Sequence, residues 1–238
     1  MPPCPPPPST TEDCKRRAAE AAVAYVENGM VVGLGTGSTA TYATAKLGAL
    51  WQDGALSALV CIPTSEKTAA QARALGLPLG ELASHPRLDL AIDGADEVDL
   101  RLNLIKGMGG ALVREKAVER AARRFVVIVD PSKRSAKLGT LSPLPVEVLP
   151  EARPRLALTL RTLGAQVTLR GGDRPFVSDN GNPILDCRFD GGIDDPAALA
   201  HRLDREVGVV GHGLFLGMAT EVLVGHPDRI EILRPAPA

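Results

Sequence analysis

The residues best suited to chemistry lie between Ile92 and Lys116, in the run IDGADEVDLRLNLIKGMGGALVREK. Asp93, Asp96 and Glu115 could move protons, Lys106 could stabilise a developing negative charge, and the Gly107–Gly110 turn could present backbone N–H groups. Glu115 is the most telling of these. Ala111, Val118 and Ala122 recur at helical spacing, and Glu115 falls inside that apolar stripe, four residues after Ala111. A carboxylate facing inward beside a glycine-rich turn is either paired or working. The plainer alternative is a glutamate that bends to solvent or pairs with Arg114 or Lys106, and the stripe by itself leaves both open.

A second constellation lies upstream. The short apolar run Met30–Leu34 is followed by Gly35-Thr36-Gly37-Ser38-Thr39 and then by a helical run through Thr44 to Leu50. Glycines that turn N–H groups outward, hydroxyl donors and a helix N-terminus together make an anion cradle. The other reading is a plain turn with an N-cap. The run lacks the GK[ST] ending of a Walker A loop, and Gly33-x-Gly35-x-Gly37 lacks the dinucleotide spacing, so a small-molecule phosphate is the expected ligand. A carboxylate base, a cationic electrophile and a phosphate grip suit proton abstraction next to a carbonyl, where the enediolate oxygen must be stabilised as it forms.

Other chemistries have less support. Asp93-x-x-Asp96 with Asp99 could hold a metal, but no histidine accompanies them and Lys106 and Lys133 compete, so no metal and no cofactor is expected. Cys4, Cys14, Cys61 and Cys187 show no CxxC or zinc spacing and read as reduced thiols, and no Ser-His or Cys-His pairing suggests hydrolysis. A net charge of −1 gives no basic surface for nucleic acid, and no apolar run is long enough to span a membrane. The opening MPPCPPPPST lacks the apolar core of a secretory signal, so a cytoplasmic protein is expected.

Several elements must position these groups. Ser9 and Glu12 fit a capping box for a helix that carries Lys15 and ends at Asn28-Gly29. Strands are predicted at Met30–Leu34, Ala58–Ile62, weakly at Pro78–Leu82, at Leu88–Ile92 and at Phe125–Val129. Helices follow Gly37, follow Ser65 as N-cap, and cover Gly109–Arg123. This alternation predicts an α/β fold, a doubly wound, mainly parallel (Rossmann-like) sheet, with Gly35–Thr39, Asp93–Lys106 and Asp130–Lys133 converging on one rim. The texture then changes to a strand at Val146–Leu149, a helix over Glu151–Leu163, a strand at Ala165–Arg170 and a hairpin of Phe176–Ser178 with Ile184–Phe189. A helix follows from Asp195 to Val207, and Leu214–Met218, Glu221–Val224 and Ile230–Leu233 return to the main sheet. The expected organisation is a disordered Pro-rich tail at 1–10, a catalytic domain at 11–139 plus 213–238, and a smaller inserted α+β domain at 140–212.

The ordered motifs GLGTGSTA, PTSEKT, IDGADEVD, IKGMGGALVREK, DPSK, LPVEV and GLFLGMA resemble the type A ribose-5-phosphate isomerase family from about Thr11 onward. The resemblance implies an aldose–ketose isomerase that interconverts D-ribose 5-phosphate and D-ribulose 5-phosphate through an enediolate. It implies no cofactor, and a homodimer or a dimer of dimers. By matching position, Glu115 is the base. Thr36, Gly37, Ser38, Thr39, Asp93, Gly94, Ala95, Asp96, Lys106, Gly107, Met108, Gly109 and Lys133 bind substrate, with Lys15 near the phosphate. Asp93 and Asp96 would move hydroxyl protons. Met108 stands where many members have glycine; it would be strained if the position needs a positive φ and is harmless if only its N–H is used, the second being expected. Two rivals of other classes are a sugar-phosphate-sensing effector domain and a CoA transferase-like enzyme. No helix-turn-helix fits before the first sheet, and a CoA tunnel would mark the second.

Overall fold

The computed structural model describes residues 10–235. In chain order the elements are α1 (Thr11–Val23), β1 (Val31–Leu34), α2 (Ser38–Gln52), β2 (Val60–Pro63), α3 (Glu66–Ala74), β3 (Leu88–Gly94), β4 (Glu97–Val98), β5 (Leu104–Ile105), α4 (Leu112–Ala121) and β6 (Ala122–Val129). There follow β7 (Leu144–Val148), α5 (Arg153–Thr162), β8 (Ala165–Leu169), β9 (Ile184–Phe189), α6 (Pro196–Arg205), β10 (Val209–His212), β11 (Leu214–Phe215), β12 (Glu221–Gly225) and β13 (Ile230–Leu233).

The main sheet has the order β13-β12-β6-β3-β1-β2. All its pairs are parallel except β12 with β13. Its central strands are apolar nearly throughout, as strands covered on both faces must be; Phe125–Val129 is buried at every position. One face packs α1 and α2 through Ala18, Ala22, Leu47 and Val32, and the other packs Val98, Leu104, Phe125 and Phe215. From β1 the chain runs outward to β2, then returns past β1 to β3. That reversal opens a crevice between the C-terminal ends of β1 and β3, where open α/β sheets bind ligands.

A second, antiparallel sheet of order β10-β7-β9-β8 draws all its strands from residues between 144 and 212. A third small sheet, β11-β5-β4, links the two, since Ile105 and Leu214 also belong to the core of the second sheet.

Several expectations need correction. The cap of α1 is Thr10, whose hydroxyl accepts from Asp13 N–H while Asp13 accepts from Thr10 N–H, because Glu12 is engaged by Lys15 and the Tyr42 hydroxyl. Ser9 and Cys4, like the rest of the expected tail through residue 9, lie outside the described residues. The helix ends at Val23, well short of Asn28, whose side chain accepts from Ser57 N–H. Ala122 starts β6 instead of continuing α4, since pairing with Leu88 on β3 overrides the local helical pattern. Pro78–Leu82 makes only a single bridge, Leu79 to Cys61. Phe176–Ser178 is no strand: β9 pairs with β8 and β7, and only Val177 bridges to Pro183. Leu214–Phe215 joins the small sheet, and β10 is an element the sequence did not signal. Cys14, Cys61 and Cys187 are free and buried.

Candidate active site

Three strand ends build one cavity of about 70 Å³, lined by Thr36–Thr39, Gly94–Asp96, Lys106, Gly107, Gly109, Glu115 and Lys133. Two roomier clefts, of about 460 and 570 Å³, lie elsewhere and contain none of these groups. Chemistry, not size, singles out the smaller one.

Gly35 sets the geometry of the β1 side. A Cβ there would lie 2.1 Å from the Asp93 carboxyl, so only glycine lets the two strand ends close. Asp93 Oδ1 accepts from Thr36 N–H at 3.0 Å and from its neighbour Gly94 N–H at 2.6 Å. The Thr36 hydroxyl is occupied by Thr64, Ser65 and Thr68 at 2.7, 2.7 and 3.0 Å. The groups left to face a ligand are therefore Ser38, Thr39 and the first-turn N–H groups of α2, which have no intrahelical acceptor and lie at its positive end. Lys133, at the end of a short 3₁₀ turn capped by Asp130, lines the rim and enters no ion pair among the described residues.

Residues 93–106 form a short hairpin where a plain loop was expected. Asp96 N–H donates to Ile105 O, and Lys106 N–H donates to Gly213 O, so β5 is held between β4 and β11. Asp99 caps the hairpin tip, accepting from Arg101 and Asn103 N–H at 2.8 Å each, and stands apart from the cavity. That separates it from the Asp93-x-x-Asp96 pair.

The hairpin delivers Lys106 into a fully buried cluster. Its ammonium donates to Gly94 O at 2.6 Å and lies 2.9 Å from Asp93, 3.2 Å from Glu119 and 3.7 Å from Glu115. The carboxylates stand at ion-pair distance without hydrogen-bond geometry: Asp93 Oδ2, Glu115 Oε2 and both Glu119 oxygens have no hydrogen-bond partner. One ammonium cannot balance three carboxylates away from water, so protons stay on some of them. Burial pushes Glu119 well above the usual carboxylate range, opposed by Lys106 and reinforced by Asp93. Burial likewise raises Glu115 to about 8, with Lys106 opposing and Asp93 and Asp96 adding to it. Lys106 itself is held above its ordinary value: burial pulls it down, but Asp93, Glu115 and Glu119 outweigh burial. Asp96 is raised by burial, against the Met108 N–H that donates to it at 2.9 Å and against Lys106.

Thr36, Gly37, Ser38, Thr39, Gly94, Ala95, Asp96, Lys106, Gly107, Gly109, Glu115 and Lys133 are brought together on one cavity. Asp93 lies just beneath it, buried against Lys106. Met108 does not line it; its φ is not positive, so the residue carries no left-handed strain, and its N–H reaches Asp96. Lys15 does not line it either, being paired with Glu12 at 2.7 Å. Glu119 was missed, although it follows Glu115 by one helical turn and so shares its face. The Thr64–Ser65–Thr68 hydroxyls were missed as well.

The cavity thus sets an acid–ammonium cluster against the N-terminus of α2 at the switch point of the sheet. Comparison with known proteins gives the family. The model of the ribose 5-phosphate isomerase A (phosphoriboisomerase A) family matches residues 60–229. The chain is 54% identical over 218 residues to a ribose-5-phosphate isomerase A of Roseiflexus castenholzii, covering 91% of this chain and 93% of that one. It is 48% identical to a probable ribose-5-phosphate isomerase 2 of Arabidopsis thaliana, covering 93% and 86%. A solved D-ribose-5-phosphate isomerase in complex with phospho-erythronic acid superposes with a TM-score of 0.91 at 38% identity, covering 95% and 100%. The ribose 5-phosphate isomerase A of Methanocaldococcus jannaschii gives 0.89 at 38% identity, covering 94% and 100%. This chain belongs to the ribose 5-phosphate isomerase A family. Its relatives do not favour the effector-domain or CoA transferase-like readings.

Proposed function

We propose that the protein interconverts D-ribose 5-phosphate and D-ribulose 5-phosphate by moving one proton between C1 and C2 through an enediolate. The observation that carries this reading is that Glu115 and Lys106 line the same cavity as the N-terminus of α2. Ser38, Thr39 and the α2 N–H groups grip the phosphate, with Lys133 closing over it. The sugar then extends toward Asp96, Lys106 and Glu115. Glu115, once ionised, takes the carbon proton. Lys106 and the N–H of Gly109 face the oxygen that becomes negative, and Asp96, held by the Met108 N–H, passes the hydroxyl proton. Asp93 acts from beneath by holding Lys106. Glu119, kept protonated by burial, lets Lys106 stay charged without adding a second anion beside Glu115.

This chemistry calls for no cofactor and no metal. Residues 11–139 with 213–238 serve as the catalytic unit and 140–212 as the smaller one. The working form is a cytoplasmic homodimer or dimer of dimers. Among the described residues no helix is long and apolar enough to cross a membrane. Purified protein with EDTA present should convert either pentose phosphate to the other. Folded protein without turnover, or turnover strictly dependent on added metal, overturns the reading.

A further inference from the structure

Arg170 follows β8, in the second sheet, yet its guanidinium sits on the glycine turn of the candidate active site. Nη1 donates to Gly107 O at 2.7 Å and to Met108 O at 3.2 Å. Behind it, Nε donates to Asp186 Oδ2 at 3.0 Å and Nη2 donates to Asp186 Oδ1. The Arg170 and Asp186 side chains are only 12% and 15% exposed, so this fork is largely shielded from water and salt.

The peptide unit explains what such a grip does. In a planar trans peptide, C=O of one residue and N–H of the next point in opposite directions. Pulling Gly107 O toward Arg170 therefore aims Met108 N–H the other way, where it meets Asp96 Oδ2 at 2.9 Å. Pulling Met108 O likewise aims Gly109 N–H away from Arg170, and Gly109 lines the cavity. Gly107, at φ 108°, has wide conformational freedom, and its carbonyl is held from within the turn by Gly110 N–H at 3.0 Å and from outside by Arg170. The same rim grips the neighbouring catalytic helix: Arg114, next to Glu115, donates to Asn180 Oδ1 and Asp179 O at 3.1 Å each.

We propose that Arg170, locked by Asp186, is a positioning residue for the isomerisation: it fixes the Gly107–Gly109 peptides so that their N–H groups face Asp96 and the developing oxyanion. The proposal rests on the isomerase reading above, and it assigns the second sheet a part in the reaction.

Arg170→Ala should lower kcat about ten- to a hundredfold, the scale of a small misplacement of catalytic donors, while KM moves only a few-fold. Low-millimolar guanidinium should restore part of the kcat of Arg170→Ala and leave the natural protein unchanged. Arg170→Lys should stay impaired, because an ammonium cannot fork between two carbonyls and a carboxylate. Asp186→Asn, which keeps the side-chain volume, should lose kcat in the same direction. Retained kcat in both Arg170→Ala and Asp186→Asn overturns the proposal. So does a loss that guanidinium does not rescue and that tracks a fall in Tm. Absence of turnover in the natural protein is the separate result that removes the isomerase reading itself.

Discussion

Four buried glutamates, Glu97, Glu147, Glu115 and Glu119, divide into two kinds by what surrounds the carboxyl. Glu97 is fully buried and saturated: Gly139 and Ser142 N–H reach Oε2 at 3.0 and 3.1 Å, while Thr140 N–H and hydroxyl reach Oε1 at 3.2 and 3.0 Å. Glu147 is served similarly on one oxygen by Ser178, Asn180 and Asn182. Glu115 and Glu119 are equally buried but have no such donors, sharing Lys106 instead. Burial without such donors raises the Glu115 and Glu119 carboxyls, against the pull of the Lys106 they share. Burial alone would have classed all four together.

Perturbing each kind should separate them, beginning with the largest effect. Glu115→Gln should lower kcat by about 10²–10⁴ while a pentose phosphate still binds within a few-fold, measured by turnover and calorimetric titration. Lys106→Met should lose kcat by about 10²–10³ and also destabilise the fold, since it leaves three buried acids without their cation. Glu97→Gln should behave oppositely: a loss of about 1–3 kcal/mol in denaturant titration, with kcat kept within a few-fold.

Dependence on pH sharpens the same contrast. With Glu115 near 8 in the free protein, kcat/KM should climb with pH and level off above that value. Stability should show the reverse trend. The folded value lies above the ordinary 4.5, so the folded state binds this proton more tightly. That contribution is complete below 4.5 and is lost as pH rises through about 8. The Tm of Glu115→Gln should therefore gain on the natural protein across that interval, and a constant difference would contradict the assignment. The smallest change is expected from Lys15→Ala, a modest rise in KM with kcat preserved, because Lys15 is paired with Glu12 away from the cavity.

Local pattern carried much of this architecture. The alternating strand and helix signals placed the parallel sheet; the apolar stripe left the side of Glu115 open, and the structure buries it although Ala122, the last of the stripe, belongs to β6. Glu119 was within reach of the same reasoning, one turn along the same face. Other features depend on contacts that no local window contains. Asp179-Asn180-Gly181-Asn182 has hairpin composition, but Asn180 and Asn182 give their side-chain amides to Glu147 on β7, so the segment is organised by a buried acid more than thirty residues away. Arg123 and Arg124 suit a helix, yet β6 begins at Ala122 because β3 offers a ladder there. Arg170 carries no local sign of its grip on residues sixty positions earlier.

The close approach of Gly35 to Asp93 changes how a substitution scan of the cradle would read. Replacing each residue of Gly35–Thr39 by alanine tests ligand contacts only where the methyl group fits. At Gly35 it would occupy the place of the Asp93 carboxyl, and Lys106 would lose its nearest counter-charge. A scan would score Gly35 as a phosphate residue, whereas the injury would fall on the neighbouring strand, at Asp93 and the Lys106 ammonium it pairs with.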